Sequence, residues 1–561
     1  MENLEDYNNN DIFWRDFARL ENSPYKLKTS MHNFKCALIF PTKKNDISKN
    51  DYPLPLANMA SLIRMNKGKV DIILQDLDEE NLDKFGNYDL ICFYPMVALF
   101  RKTLEFSKKI KEFDQKIKIC FFNSDQHQHE MVLGNPQAKE FATTIMKNYP
   151  SIDFILIGEA ETSFIKLCEK IANKDNDFST LPSCLYRSLN KIRFSEKPIE
   201  PVNFTFLPFP ARDFLEKTIS TEGINTHSPR IQSSRGCIAQ CLYCVESGTN
   251  IAKDGRKMPV LSRDILRTLD EIEMLYKYYK VVFFNIIDSS FEDPGKRGIE
   301  RMKIFFEEIL KRNIEISFKI HLRAESVTKL DDDFLELMKD AGIDILVIGV
   351  ESGLEKELDS YKKIATVDQN IITIKRVNSL NGKFYPVLGH MMFSPILSIE
   401  DLPKKIAFLK ELHHGWDYLE LIHSILVYRG TKYHDFIKEK NLELSTPELS
   451  PVIHYRFEDE RVKKVANKII QLKTKCQYSS KLNNLLFDAA NLISRYSNKM
   501  NKHLWKREDI FMEFKEKIDE ILFEVEDIYC NYFLSLVKLA KENWNDEKAE
   551  KLYLKHIKTT I

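Results

Sequence analysis

Three cysteines stand close together in the run Ser-Arg-Gly-Cys-Ile-Ala-Gln-Cys-Leu-Tyr-Cys, as Cys237, Cys241 and Cys244 in a C-x3-C-x2-C spacing. Soft thiolates suit iron-sulfur chemistry, and three of them on one loop can ligate three irons of a cubane cluster. The fourth iron is then open to a small chelating molecule that takes an electron from the cluster. The competing reading is a structural zinc site, which closes four ligands and favours paired C-x2-C units; His227 is the obvious nearby fourth ligand. The other seven cysteines are scattered singly through apolar segments, where buried thiols are the expected role.

The elements that position this loop follow from the hydrophobic pattern. Between 230 and 445, strands are expected over 231–234, 280–287, 315–321, 343–350, 384–393 and 418–427. Helical periods over 262–279, 299–311, 332–341, 367–380 and 399–413 separate them. Six such units with right-handed crossovers curl into a partial (β/α)6 barrel, whose chemistry lies at the carboxyl ends of the strands. The cysteine loop follows the first of those strands.

Residues 31–172 carry the same rhythm, with strands expected over 35–40, 70–74, 89–94, 117–123 and 152–157 and helices over 56–65, 99–113, 137–147 and 161–172. This predicts an open, doubly wound Rossmann-like α/β domain with a ligand at its strands' carboxyl ends. Residues 1–30 read as an N-terminal extension. The stretch 173–229, punctuated by Pro182, Pro198, Pro201, Pro208 and Pro210, reads as a linker that packs on its neighbours, with a hairpin near 189–191. Beyond 446 the strand signal stops, and helical patterns over 458–476, 483–497 and 507–541 predict a helical C-terminal region, 446–561.

At 561 residues the chain is long enough for two or three domains. Its 83 basic residues cancel its 83 acidic ones, so no global field points to nucleic acid or an anionic membrane. The first ten residues lack the basic and apolar regions of an export signal, and the longest apolar runs are strand-sized. A soluble, cytoplasmic protein is the expectation.

The cysteine triplet, Tyr243 before its last member and the βα units that follow resemble the radical S-adenosylmethionine superfamily over about 230–442. That resemblance implies a four-iron, four-sulfur cluster on Cys237, Cys241 and Cys244. It also implies S-adenosylmethionine chelated to the open iron and reductive cleavage to a 5′-deoxyadenosyl radical. Tyr243 is placed against the adenine. Asp288 in Asp-Ser-Ser-Phe, Arg323, and Glu351 and Ser352 in Ile-Gly-Val-Glu-Ser-Gly are similar to strand-end segments that meet the cofactor. For Glu351 and Ser352 the alternative reading is a capped strand-to-helix turn, and for Arg323 a structural ion pair. No individual catalytic residue is assigned.

An open α/β domain ahead of such a barrel resembles the cobalamin-binding branch, the class B radical methyltransferases and their relatives. Pro53 and Leu54, opening the first helix, and Gly158 and Glu159, after the fifth strand, carry that likeness. The loop after the fourth strand departs from the branch, reading Asn-Ser-Asp-Gln-His-Gln-His from Asn123, and places Ser124 and His127 as cobalamin candidates. Three readings stay open for it: a cobalamin loop of altered chemistry, a degenerate domain without corrin, and solvated polar residues. The implied activity is methylation of an unactivated carbon of a small-molecule natural product or a peptide, fed by flavodoxin or ferredoxin. A radical cyclase, epimerase or rearrangement enzyme is the alternative, and a non-catalytic iron-sulfur sensor is the rival from another class.

Overall fold

The computed structural model describes residues 19–42, 54–79, 81–122, 138–198, 200, 202–216, 228–246, 260–380, 383–472, 484–489, 492–493 and 508–558. The N-terminal sheet begins with β1 (Lys35–Thr42), α1 (Leu54–Met65), β2 (Lys69–Asp76), β3 (Leu90–Phe93) and α2 (Phe100–Phe113). It continues through β4 (Lys118–Phe122), α3 (Ala138–Asn148), β5 (Phe154–Leu156) and α4 (Glu161–Ala172). Strands β1 to β5 are parallel in the order 2-1-3-4-5. They read as near-continuous apolar runs because both sheet faces are covered. Cys36, Leu38 and Phe40 enter one core, while Ala37 and Ile39 enter the opposite one. Cys36, Cys92 and Cys120 sit side by side in the first core, where burial pushes the Cys92 thiol well up; they are packing residues.

The hairpin expected within 173–229 forms, and it joins the first sheet. Within 173–229, β6 (Cys184–Ser188) and β7 (Lys191–Phe194) extend the first sheet as an antiparallel hairpin, which turns through Leu189 and Asn190 at positive φ. The stretch after it packs on its neighbours, as expected. Arg267 donates to the carbonyls of Phe204 and Leu207, and the buried carboxylate of Glu271 holds Arg212 at 2.7 Å and Arg263 at 2.5 Å. Burial pushes the Glu271 carboxyl up, but the two guanidiniums outweigh it and hold the group below its ordinary value.

The second sheet starts at β8 (Arg230–Ile231); β9 (Ser234–Arg235) and β10 (Leu261–Ser262) form a small side ribbon. Then follow α5 (Ile265–Tyr279), β11 (Phe283–Ile286), α6 (Gly295–Lys311), β12 (Ser317–Arg323), α7 (Ala324–Val327) and α8 (Asp332–Asp340). The series continues with β13 (Ile343–Glu351), α9 (Glu355–Tyr361), α10 (Val367–Ser379), β14 (Tyr385–His390) and α11 (Leu402–Glu411). The five strands are all parallel, in the order 8-11-12-13-14. The expected sixth strand over 418–427 is not formed. Asp417 caps α12 (Tyr418–Ile422) by accepting from the Leu419 N–H, and a single parallel bridge from Ser424 to Phe393 is what remains. A short apolar run fits helix and strand equally, and the aspartate decides for helix.

The chain ends with β15 (Val427–Tyr428), α13 (Lys432–Glu439), β16 (Val452–Ile453), α14 (Glu460–Ile469), α15 (Glu508–Glu542) and α16 (Asp546–Tyr553). Among the described residues no helix is long and apolar enough to cross a membrane. Helix α15 closes the base of the barrel over a cavity of about 250 Å³ lined by Tyr385, His414, Trp416 and Phe523, at the strand starts and away from the cysteines. There Glu526 accepts from the Gly415 N–H at 2.7 Å.

Burial pushes the Glu526 carboxyl from 4.5 up to about 7, against the Gly415 hydrogen bond and Lys410. A carboxyl raised in the folded state stabilises below its unfolded value, and that contribution is lost as pH rises through about 7. The melting temperature is therefore expected to fall between pH 5 and 8, with a smaller fall in Glu526→Gln. Equal slopes in the two proteins would show that another group sets the dependence.

Candidate active site

The carboxyl end of β8 feeds directly into the cysteine loop. Ser233 donates to Asp288 through its N–H at 2.7 Å and also through its hydroxyl, and the Ser234 hydroxyl donates to the same carboxylate at 2.8 Å. Asp288 is fully buried, with Arg301 at 3.9 Å. Burial pushes its carboxyl up against the pull of Arg301 and the serine donors. Asp288, expected near the cofactor, accepts here from the strand end that launches the loop.

Beyond it, the Ile238 N–H donates to Asp293 at 2.9 Å, the Leu242 N–H to the Tyr361 carbonyl at 2.8 Å and the Tyr433 N–H to the Leu242 carbonyl at 2.9 Å. Cys237, Cys241 and Cys244 are all free thiols on this pinned loop. Burial pushes Cys237 up to about 12 and raises Cys241 and Cys244 as well, so iron must displace a proton from each. Among the described residues no three His, Cys, Asp or Glu side chains are grouped to share one metal ion. A cubane makes no such demand, since each thiolate takes its own iron.

Arg323, at the end of β12, directs Nη1 to within 3.8 Å of the Cys237 sulfur. It is held there by Asp293 at 2.6 Å, Glu325 at 2.8 Å and Glu292 at 3.3 Å. Burial works against its charge, and Glu292, Asp293 and Cys237 more than compensate. Arg323 is thus ion-paired, and it lies at the cysteine loop.

Glu351 ends β13 with φ of 60°, in a register irregularity against β14. A non-glycine residue in this region is strained, and such strain concentrates at functional positions. Its carboxylate accepts from Lys363 at 3.1 Å and lies near the buried Tyr243 hydroxyl. Tyr243 lies edge-on to Tyr361, 5.4 Å between centroids. A Cβ on Gly349 would come 2.8 Å from the Glu351 carboxylate, so the bare backbone makes room for it. Lys363 was not singled out in the sequence. Burial pulls its ammonium down, yet Glu351 and the adjacent Cys241 hold it above its ordinary value. Ser352 is fully buried; it donates to Glu357 at 2.5 Å and accepts from Lys405 at 3.2 Å.

The carboxyl edge of the first sheet faces the same loop. Gly158 has φ of 81°, a backbone open to glycine. Glu159 accepts from the Val202 N–H at 2.7 Å and pairs with Arg235 at 3.5 Å, and buried Glu161 pairs with Arg235 at 3.0 Å. Arg235 stands two residues before Cys237 and also covers the Phe204 ring at 4.9 Å. Glu159 is therefore committed to protein partners. Leu54 is buried beside a recess of about 10 Å³, room for one water at most. Pro53, Ser124 and His127 lie outside the described residues.

A three-cysteine loop at the carboxyl edge of a parallel half-barrel defines a radical S-adenosylmethionine enzyme. Residues 231–409 match the family model described as Radical SAM superfamily, and the chain carries that domain; the family's cofactors are a four-iron, four-sulfur cluster and S-adenosylmethionine. An uncharacterized methyltransferase of Pyrococcus horikoshii is 22% identical over 457 residues, covering 78% of this chain and 92% of that protein. A 4'-phospho-dehydrooxetanocin synthase of Priestia megaterium is 29% identical over 226 residues, 38% of this chain and 29% of its own length. The solved structure of the cobalamin-dependent S-adenosylmethionine radical enzyme OxsB, with aqua-cobalamin and S-adenosylmethionine bound, shares the fold. It covers 94% of this chain and 84% of that one, at TM-score 0.65 and 16% identity.

Proposed function

We propose that the chain methylates an unactivated carbon of a natural product or peptide. The cluster would sit on Cys237, Cys241 and Cys244, with cobalamin between the two sheets. The observation that carries this reading is the meeting of two carboxyl edges at Arg235, one bearing the cysteine loop and the other Gly158. When bound, the cluster supplies the electron that splits S-adenosylmethionine, and cobalamin supplies a transferable methyl group. The residues themselves position and shield. Arg323 presents its guanidinium to Cys237, Glu351 and Tyr243 offer polar atoms to the cofactor's ribose and adenine, and Lys363 fixes the Glu351 carboxylate. Gly158 is the described residue whose backbone leaves space for a corrin. The reductant is of flavodoxin or ferredoxin type.

The test is the metal content of protein purified anaerobically from cells supplied with iron and cobalamin, assayed with dithionite and S-adenosylmethionine. About four irons, near-stoichiometric cobalt and 5′-deoxyadenosine are expected. Iron and 5′-deoxyadenosine without cobalt would remove methyl transfer. That outcome would favour the second reading, a radical cyclase, epimerase or rearrangement enzyme, to which the likeness to a relative named a synthase points.

A further inference from the structure

Behind the cysteine loop lies a small core outside both parallel sheets, where Leu242 and Tyr243 pack against Tyr361, Tyr433 and Phe436. The rings follow one another outward. Tyr243 lies 5.4 Å from Tyr361, Tyr361 lies 5.6 Å from Tyr433, and Tyr433 stacks on Phe436 at 5.1 Å between centroids. Tyr361 and Tyr433 are fully buried, whereas Phe436 is half-buried at the surface of α13. The backbone makes the same connection, since the Tyr433 N–H donates to the Leu242 carbonyl and the Leu242 N–H to the Tyr361 carbonyl. The first turn of α13 and the end of α9 thus touch the residue that follows Cys241.

Helical spacing sets Lys432, Phe436 and the C-cap Lys440 on one face of α13, each four residues from the next. The Lys440 ammonium stands 5.9 Å over the Phe436 ring, and its ion pair with Glu458 is long, at 3.8 Å, and open to water. Lys432 is exposed and forms no ion pair among the described residues. The same holds for Lys362, which follows Tyr361 at the end of α9. The acids of the helix, Asp435 and Glu439, fall to one side of this stripe.

A half-buried ring framed by exposed cations suits an acidic protein partner, because the cations steer the encounter and the ring is covered on contact. Electron transfer through protein falls steeply with distance, so a carrier must dock where the ligand loop comes closest to the surface. At α13 a single layer of rings separates the two. Electron-transfer encounters are weak and need little area, which a short helix and one loop can supply.

We infer that the face of α13 bearing Lys432, Phe436 and Lys440, together with Lys362, is the docking surface for the acidic electron-carrier protein, of flavodoxin or ferredoxin type, that reduces the cluster. One electron crosses per encounter: the carrier is oxidised by one electron, the cluster is reduced by one, and no bond forms or breaks. The assignment rests on the reading of the chain as a radical enzyme with its cluster on Cys237, Cys241 and Cys244. It leaves the strand-end side of the loop to S-adenosylmethionine and substrate, so that reductant and substrate approach the cluster from different sides.

The test is calorimetric titration of the full-length, anaerobically reconstituted protein with oxidised flavodoxin, together with 5′-deoxyadenosine formation driven either by reduced flavodoxin or by dithionite. The double variant Lys432→Glu, Lys440→Glu is expected to bind flavodoxin about tenfold or more weakly than the parent. Binding by the parent is expected to weaken as salt is raised. With reduced flavodoxin the variant should need a correspondingly higher carrier concentration for half-maximal nucleoside formation, while with dithionite, which needs no docking surface, its rate should match the parent's. Unchanged flavodoxin affinity in the double variant would overturn the assignment. So would a larger loss in Lys296→Glu, in the exposed first turn of α6 near the other end of the loop, or equal losses of nucleoside with both reductants. The parent separates the two readings: nucleoside with dithionite but no flavodoxin binding sinks the surface alone, and flavodoxin binding without nucleoside sinks the radical reading alone.

Discussion

Alanine at Cys241 is expected to give a folded protein that loses the cluster's brown absorbance and forms 5′-deoxyadenosine only at background. Cys241 is buried on a loop whose backbone is fixed from both sides, by Leu242 to Tyr361 and by Tyr433 to Leu242. The side chain can therefore be shortened without releasing the loop. With one thiolate gone, two ligands remain on a segment that offers no replacement cysteine. Iron per chain and nucleoside yield should fall together, while the thermal transition of the iron-free protein stays within a few degrees of the parent. The control is Cys92→Ala, which removes a thiol buried between strands of the first sheet. That change should alter stability and leave iron content intact. Equal iron loss in both variants would mean that fold damage, and not ligation, governs the cluster.

The second large effect is expected at Lys405, which shares a fully buried ion pair with Glu357 at 2.5 Å. The lysine also donates to the Met391 carbonyl at 2.6 Å and to Ser352, while the carboxylate accepts from Ser352, Ser394 and, at 3.2 Å, Tyr361. One pair thus ties the exits of β13 and β14 to α9 and α11, directly behind Glu351 and Tyr243. Burial pulls the Lys405 ammonium down, against the attraction of Glu357. Lys405→Met strands the carboxylate and is expected to cost about 3–5 kcal/mol in urea unfolding. Pairing it with Glu357→Gln should recover part of that loss. Full additivity of the two changes would show that the pair is not coupled.

What could be read in advance depended on how local its determinants are. The cysteine loop was legible because three thiols within eight residues carry their own chemistry, and the parallel strands of the first sheet because both their faces are apolar. The strand expected over 418–427 failed where Asp417 supplied a helix cap that pattern alone does not weigh. Asp288 and Ser352 resembled cofactor contacts by position, but their partners, Ser233 and Lys405, are 55 and 53 residues away. No spacing rule reaches such partners. Lys363 went unnoticed for the same reason: an isolated lysine has no periodicity, and its meaning appears when the fold sets the Glu351 carboxylate beside it.

Arg235 has a consequence for anyone who would cut the molecule in two. A fragment beginning at residue 230 keeps every strand of the half-barrel, yet it abandons Glu159, Glu161 and Phe204 and leaves a guanidinium stranded two residues from Cys237. The radical half is not a portable module. Grafting it onto a foreign partner would require that partner to offer two acidic side chains and an aromatic face at the junction, and a graft lacking them should lose the loop's geometry before any cofactor is added.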